Sequence, residues 1–125
     1  MDTLAHLAAI VLGAVFVVAA VAKIVAGTTW VAQARDLGAP TPVATVLPGV
    51  ELVLGALLVT GVAAPIPAVV AALLLLAFSV AVARQLVDGR HPPCACFGAW
   101  SQRPLGEGHL LRNAALIVVA LIALL

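Results

Sequence analysis

The chain has 125 residues, enough for one domain, of which 65% are hydrophobic and 9% charged, with a formal net charge of +1. Soluble domains carry roughly 25% charged residues, so this composition and a mean hydropathy of +1.27 exclude an ordinary water-soluble fold and make the lipid bilayer the implied partner. With almost no net charge, no tyrosine and two tryptophans, the basic surface and base-stacking platforms of a nucleic-acid binder are missing as well.

Crossing a bilayer takes about 20 mostly apolar residues at roughly 1.5 Å rise each. Four segments are read as spans: 4–26, interrupted only by Lys23; 43–61, containing Pro48 and Glu51; 67–87, nearly uniform Ala, Leu and Val until Arg84; and a shorter fourth, 110–125, opening with Arg112 and Asn113. These runs are too long and too rich in Ala and Leu for strands. The expected fold is an all-α integral membrane four-helix bundle, up-down-up-down, forming a single domain over 1–125. Ala20-Val21-Ala22 fits a signal-peptide cleavage pattern, yet Asp2 with no preceding Lys or Arg, and an apolar run beyond about 7–15 residues, favour a retained span.

The connections differ in length. Val62-Ala63-Ala64-Pro65 is a short turn that forces an antiparallel hairpin. Residues 27–42 read as a loop or a short helix at the interface. Residues 88–108 form the longest polar connection, between the third and fourth helices. Four spans put both termini on one face and these two longer loops on the other, with Trp30 and Trp100 expected at that membrane surface. All six basic residues (Lys23, Arg35, Arg84, Arg90, Arg103, Arg112) lie in or beside the longer loops. The positive-inside rule then places this face in the cytoplasm, whereas stable disulfides belong on the oxidising side. Both orientations stay open.

The chemistry concentrates in His91-Pro92-Pro93-Cys94-Ala95-Cys96-Phe97-Gly98, which holds the only two cysteines. Cysteine used as core filler would be scattered along the helices. A Cys-x-Cys ring only marginally meets the preferred Cα separation of about 4.4–6.8 Å, and a strained disulfide is more oxidising and exchanges more easily. Pro92 and Pro93 stiffen the approach; Arg90 and Arg103 favour thiolate wherever they fold toward the sulfurs. Cys94 and Cys96 are therefore the candidate catalytic pair, working as a redox-active disulfide. Inert thiols or a static clip is one alternative. A metal site completed by His91 and His109 is another, in which soft thiolates suit Cu(I) or Zn(II), although zinc sites usually separate cysteines by two to four residues.

An ionisable side chain at a span's centre costs about 2.5–3.5 kcal/mol on insertion scales, so it usually has a partner. Glu51 is placed by helical rise at a depth near that of Lys23 and Arg84, which suggests a Lys23–Glu51 or Arg84–Glu51 pair; snorkelling to the headgroups is the alternative for the two cations. Pro48 kinks the helix one turn before Glu51 and frees a carbonyl. Glu51, His109, Arg112 and Asn113 are the candidate cofactor-binding residues, lining a quinone site or a polar cavity, against a plain capping and anchoring role for the last three. Gly49, Gly55 and Gly61, six residues apart, suggest close helix packing.

With these residues in hand, the chain resembles the MauE branch of the DoxX-like membrane proteins over nearly its whole length. The resemblance is carried by Phe16 through Lys23, Leu47-Pro48-x-x-Glu51-Leu52, Cys94-x-Cys96-Phe97-Gly98 and Leu111-Arg112-Asn113. It implies a four-helix protein of the bacterial cytoplasmic membrane linked to methylamine utilisation, where the family is thought to support maturation of the disulfide-rich small subunit of methylamine dehydrogenase. Related DoxX-like proteins are associated with thiol and oxidative-stress systems. Three functions follow as expectations: a thiol-disulfide relay serving a thioredoxin-like or disulfide-containing client, with electrons passing to a carrier such as a quinone; a non-catalytic membrane scaffold; and copper or zinc handling through the same sulfurs.

Overall fold

A computed structural model of the chain describes residues 3–62, 65–89 and 107–124, the side chains of 107–109 excepted. Regular structure among the described residues is entirely helical: α1 Thr3–Ala26, α2 Thr28–Asp36, α3 Thr41–Thr60, α4 Ile66–Val87 and α5 Glu107–Ala123. Three of these, α1, α3 and α4, are long and apolar enough to cross a membrane, at 24, 20 and 22 residues. α5 has 17 residues, and its apolar part runs over Leu110–Ala123. It begins three residues before the expected start at 110, since Glu107 and Gly108 join its first turn. The Cys-x-Cys connection, with Arg90, His91, Trp100 and Arg103, lies outside the described residues, as does the middle of the Val62–Pro65 turn.

The three long helices, α1, α3 and α4, are apolar on almost every side, so small side chains mark much of the inward face. On α1 the inward stripe is Ala5, Ala8, Ala9, Leu12, Phe16, Ala19 and Lys23, spaced by three and four. Leu4, Leu7, Val11, Val18 and Ile24 point outward and are exposed. Small residues inside let backbones approach where water supplies no hydrophobic drive. The closest approach is at Gly13 and Gly55. A Cβ on Gly13 would stand 2.7 Å from the Gly55 carbonyl oxygen, and one on Gly55 would meet Val17 at 2.6 Å. Of the expected stripe of glycines, Gly49 touches nothing and is exposed; the stripe missed Gly13, the real partner of Gly55.

Neighbouring helices run antiparallel. α1 meets α3 through Lys23 and Glu51 at one end and through His6, 3.7 Å from a Cβ built on Gly61, at the other. α5 packs its Ala120 and Ala123 into the same core as Leu12, Leu54, Leu58 and Ala71. Its start lies by the end of α4, where Leu110 packs on Val82, and its end lies by Pro67 and Ala68 at the start of α4.

Residues 27–42 fold mainly as α2, the helical alternative of the two expected. Gly27 (φ 58) and Gly38 (φ 95) provide the left-handed backbone at either end of this detour. Trp30, expected at the membrane surface, is instead 2% exposed. The reason lies in α3. Pro48 has no N–H, so the Ala44 carbonyl four residues earlier loses its helical donor; the Trp30 indole N–H donates to that oxygen at 2.9 Å. The freed carbonyl predicted from Pro48 thus has its partner, and the helix continues through the proline from Thr41 to Thr60.

Candidate functional site

One end of the α1–α3 crossing carries a charge cluster. The stripe that puts Phe16, Ala19 and Ala20 inside also turns Lys23 inward, and Glu51 shares the buried face of α3 with Ala44, Pro48 and Leu54. Lys23 Nζ donates to both carboxylate oxygens of Glu51 at 2.8 Å, and the side chains are 2% and 5% exposed. The ammonium also lies 5.0 Å from the centre of the Trp30 ring and 5.4 Å from that of Phe78, distances at which ring quadrupoles attract a cation. Glu51 is therefore paired with Lys23 and not with Arg84, which is exposed on α4. The pairing also overturns the snorkelling alternative for Lys23.

α5 brings Arg112 and Asn113 to the same place. The Arg112 guanidinium donates to Asn113 Oδ1 at 3.2 Å from Nη2, and Asn113 is 3% exposed. Lys23, Glu51, Arg112 and Asn113 line a cavity of about 40 Å³ with Phe16, Phe78 and other apolar side chains. A water needs roughly 10–15 Å³ of such space, so the cavity has room for a few waters beside the ion pair. Two oppositely charged groups, an amide and a guanidinium around such a space can hold a proton, orient water or stabilise a nearby anion.

Three of the four candidate cofactor-binding residues are thus together: Glu51, Arg112 and Asn113. The side chain of His109 and both cysteines lie outside the described residues. Reading the sequence missed Trp30 and Phe78 as the walls around the ammonium, and Gln33 and Gln85 as buried polar groups, 9% and 8% exposed. The spacing of Trp30, Gln33, Ala34 and Leu37 is a helical stripe that would have revealed the inward face of α2. Phe78 carries no such signal within an Ala/Leu/Val run.

The family model described as "Methylamine utilisation protein MauE" matches residues 1–125, the whole chain. No curated protein and no solved structure matches it. The chain belongs to the MauE family.

Proposed function

We propose that this MauE-family chain is a membrane thiol-disulfide redox protein that assists disulfide formation in a partner, in support of methylamine utilisation. In this reading residues 1–125 are one domain of four spans, up-down-up-down, with α5 as the fourth, in the bacterial cytoplasmic membrane. Cys94 and Cys96, between α4 and α5, form the exchanging pair. A client thiolate attacks the Cys94–Cys96 disulfide, giving a mixed disulfide; the client's second thiol then displaces the remaining bond. The client leaves oxidised by two electrons, and Cys94 and Cys96 are left as thiols. The pair is reoxidised by passing two electrons and two protons to a lipid-soluble acceptor of the quinone class.

The observation that carries this reading is the buried Lys23–Glu51 pair with Arg112 and Asn113 beside it, in a cavity whose lining residues Val82 and Arg112 each lie five residues inside the ends of α4 and α5 that the cysteine connection joins. Charges placed there are expensive in a membrane and mark function by default. The client is a thioredoxin-like or disulfide-containing protein, as the resemblance implies. Gel-shift trapping of free thiols across glutathione buffers tests the reading. A reversible Cys94–Cys96 couple supports it; full client maturation by a Cys94→Ser, Cys96→Ser double variant would leave a scaffold, and stoichiometric copper or zinc in the purified protein would indicate metal handling.

A further inference from the structure

A second recess, ten times larger than the polar cavity at about 410 Å³, lies where α3 and α4 part and α2 fills in beside them. Its volume is in the range of small-molecule sites, roughly 300–1,000 Å³. Leu47, Leu74, Trp30 and Phe78 form its inner wall, and the exposed Val43 and Val80 stand at its outer edge. The outer edge belongs to the surface that faces lipid if α3 and α4 span the membrane, so the recess opens sideways into the bilayer.

Three observations define what would fit. Arg84 and Asp88, one helical turn apart, bring one charge of each sign to the same end, so the rim selects neither an anion nor a cation. Gln85 also lines it, is 8% exposed, and its Oε1 has no hydrogen-bond partner among the described residues; a buried acceptor in that state calls for a donor. Finally, the Trp30 and Phe78 rings that wall this recess are the same rings that flank the Lys23 ammonium. Phe78 and Leu74 line both the recess and the cavity beside the ion pair.

We infer that the recess binds a neutral, lipid-soluble amphiphile with a flat ring bearing hydroxyl donors: the chemistry of a quinol and its quinone. The ring lies against Trp30 and Phe78, rotation of the Gln85 amide brings its Oε1, enclosed in the empty recess, to a ring hydroxyl, and the hydrocarbon tail leaves between Val43 and Val80. Turned toward the recess, the Gln85 amide accepts from a quinol hydroxyl and donates from its NH2 to a quinone carbonyl, while the opposed charges of Arg84 and Asp88 give an anionic phospholipid headgroup no net attraction. This site deepens the proposed function and rests on it for the electron source. As the Cys94–Cys96 bond forms, the two thiols give up two electrons and two protons, and the quinone takes both to become the quinol.

The test uses the full chain in phosphatidylcholine nanodiscs with Trp100→Phe, so that Trp30 alone fluoresces, titrated with decylubiquinone. Saturable quenching is expected, competed by the reduced quinol. Ala81→Phe, which fills the recess, should weaken binding at least tenfold, and Gln85→Leu should weaken the quinol about tenfold, with helical circular dichroism unchanged. Quenching that does not saturate, or that is indifferent to Ala81→Phe, overturns the site, as does displacement by an equal mole fraction of phosphatidylglycerol. The two readings separate cleanly. A chain that binds the quinol while its thiols do not cycle keeps this site and loses the redox function; thiols that cycle at full rate in Ala81→Phe remove this site alone.

Discussion

Replacing Lys23 by Met keeps the length and apolar stem of the side chain but strands the Glu51 carboxylate, which has no other hydrogen-bond partner among the described residues. Breaking a buried ion pair from one side costs about 3–5 kcal/mol. Proton uptake sets a ceiling: neutralising an ordinary carboxyl at pH 7 costs about 1.36 kcal/mol per unit above ~4.3, or roughly 4 kcal/mol. The loss is therefore expected at about 3–4 kcal/mol at pH 7, with the ceiling falling to about 1 kcal/mol at pH 5. Glu51→Leu strands the ammonium instead, but Trp30 and Phe78 still face it, worth roughly 0.5–2 kcal/mol, so its cost should be the smaller. The double variant removes both charges and should recover most of the loss, since apolar replacement of a buried pair is often neutral. Unfolding in mixed micelles of increasing SDS fraction, followed by helical circular dichroism at pH 7 and pH 5, measures all four corners. A coupling of about 2 kcal/mol or more is predicted. Additivity within about 0.5 kcal/mol, or a Lys23→Met cost that does not shrink at pH 5, would refute the reasoning.

The same unfolding assay checks two further expectations. Trp30→Phe keeps a ring beside Lys23 but removes the donor to Ala44, so it should cost about 1–2 kcal/mol; in a Pro48→Ala background, where the backbone N–H returns to that carbonyl, the cost should fall by more than half. Gly55→Leu forces a side chain into Val17 and the Gly13 carbonyl and should destabilise by at least about 1–3 kcal/mol, while Gly49→Ala, with nothing within 4 Å, should be neutral or stabilise by up to about 1 kcal/mol.

Hydrophobic run length was sufficient to place α1, α3 and α4 to within a few residues, because in lipid the backbone must satisfy itself and only helices do so over such lengths. Depth counting from Glu51 found the ion pair, since an intramembrane carboxylate seeks a cation at its own level. It could not choose between Lys23 and Arg84; that depends on rotation about the helix axes, and in helices apolar on every side no amphipathic stripe reports rotation. Trp30 was misplaced for a related reason. A tryptophan near a span end usually sits at the interface, and only the link between Pro48 and the orphaned Ala44 carbonyl explains why this one turns inward. Gly55 was recognised as a packing glycine, but its partner Gly13 sits alone in α1 and has no sequence spacing to announce it. The recess between α3 and α4 had no sequence signal, because it comes from the splaying of two helices and not from a motif.

Maleimide trapping of Cys94 and Cys96 in the membrane-embedded wild-type chain, poised in glutathione buffers from −120 to −300 mV, bears most directly on the redox role. Exchange proteins titrate between about −120 and −270 mV, and a single two-electron transition of the pair within that window is predicted. Thiols that stay fully labelled at every potential, or a bond that no buffer in the series opens, would contradict it.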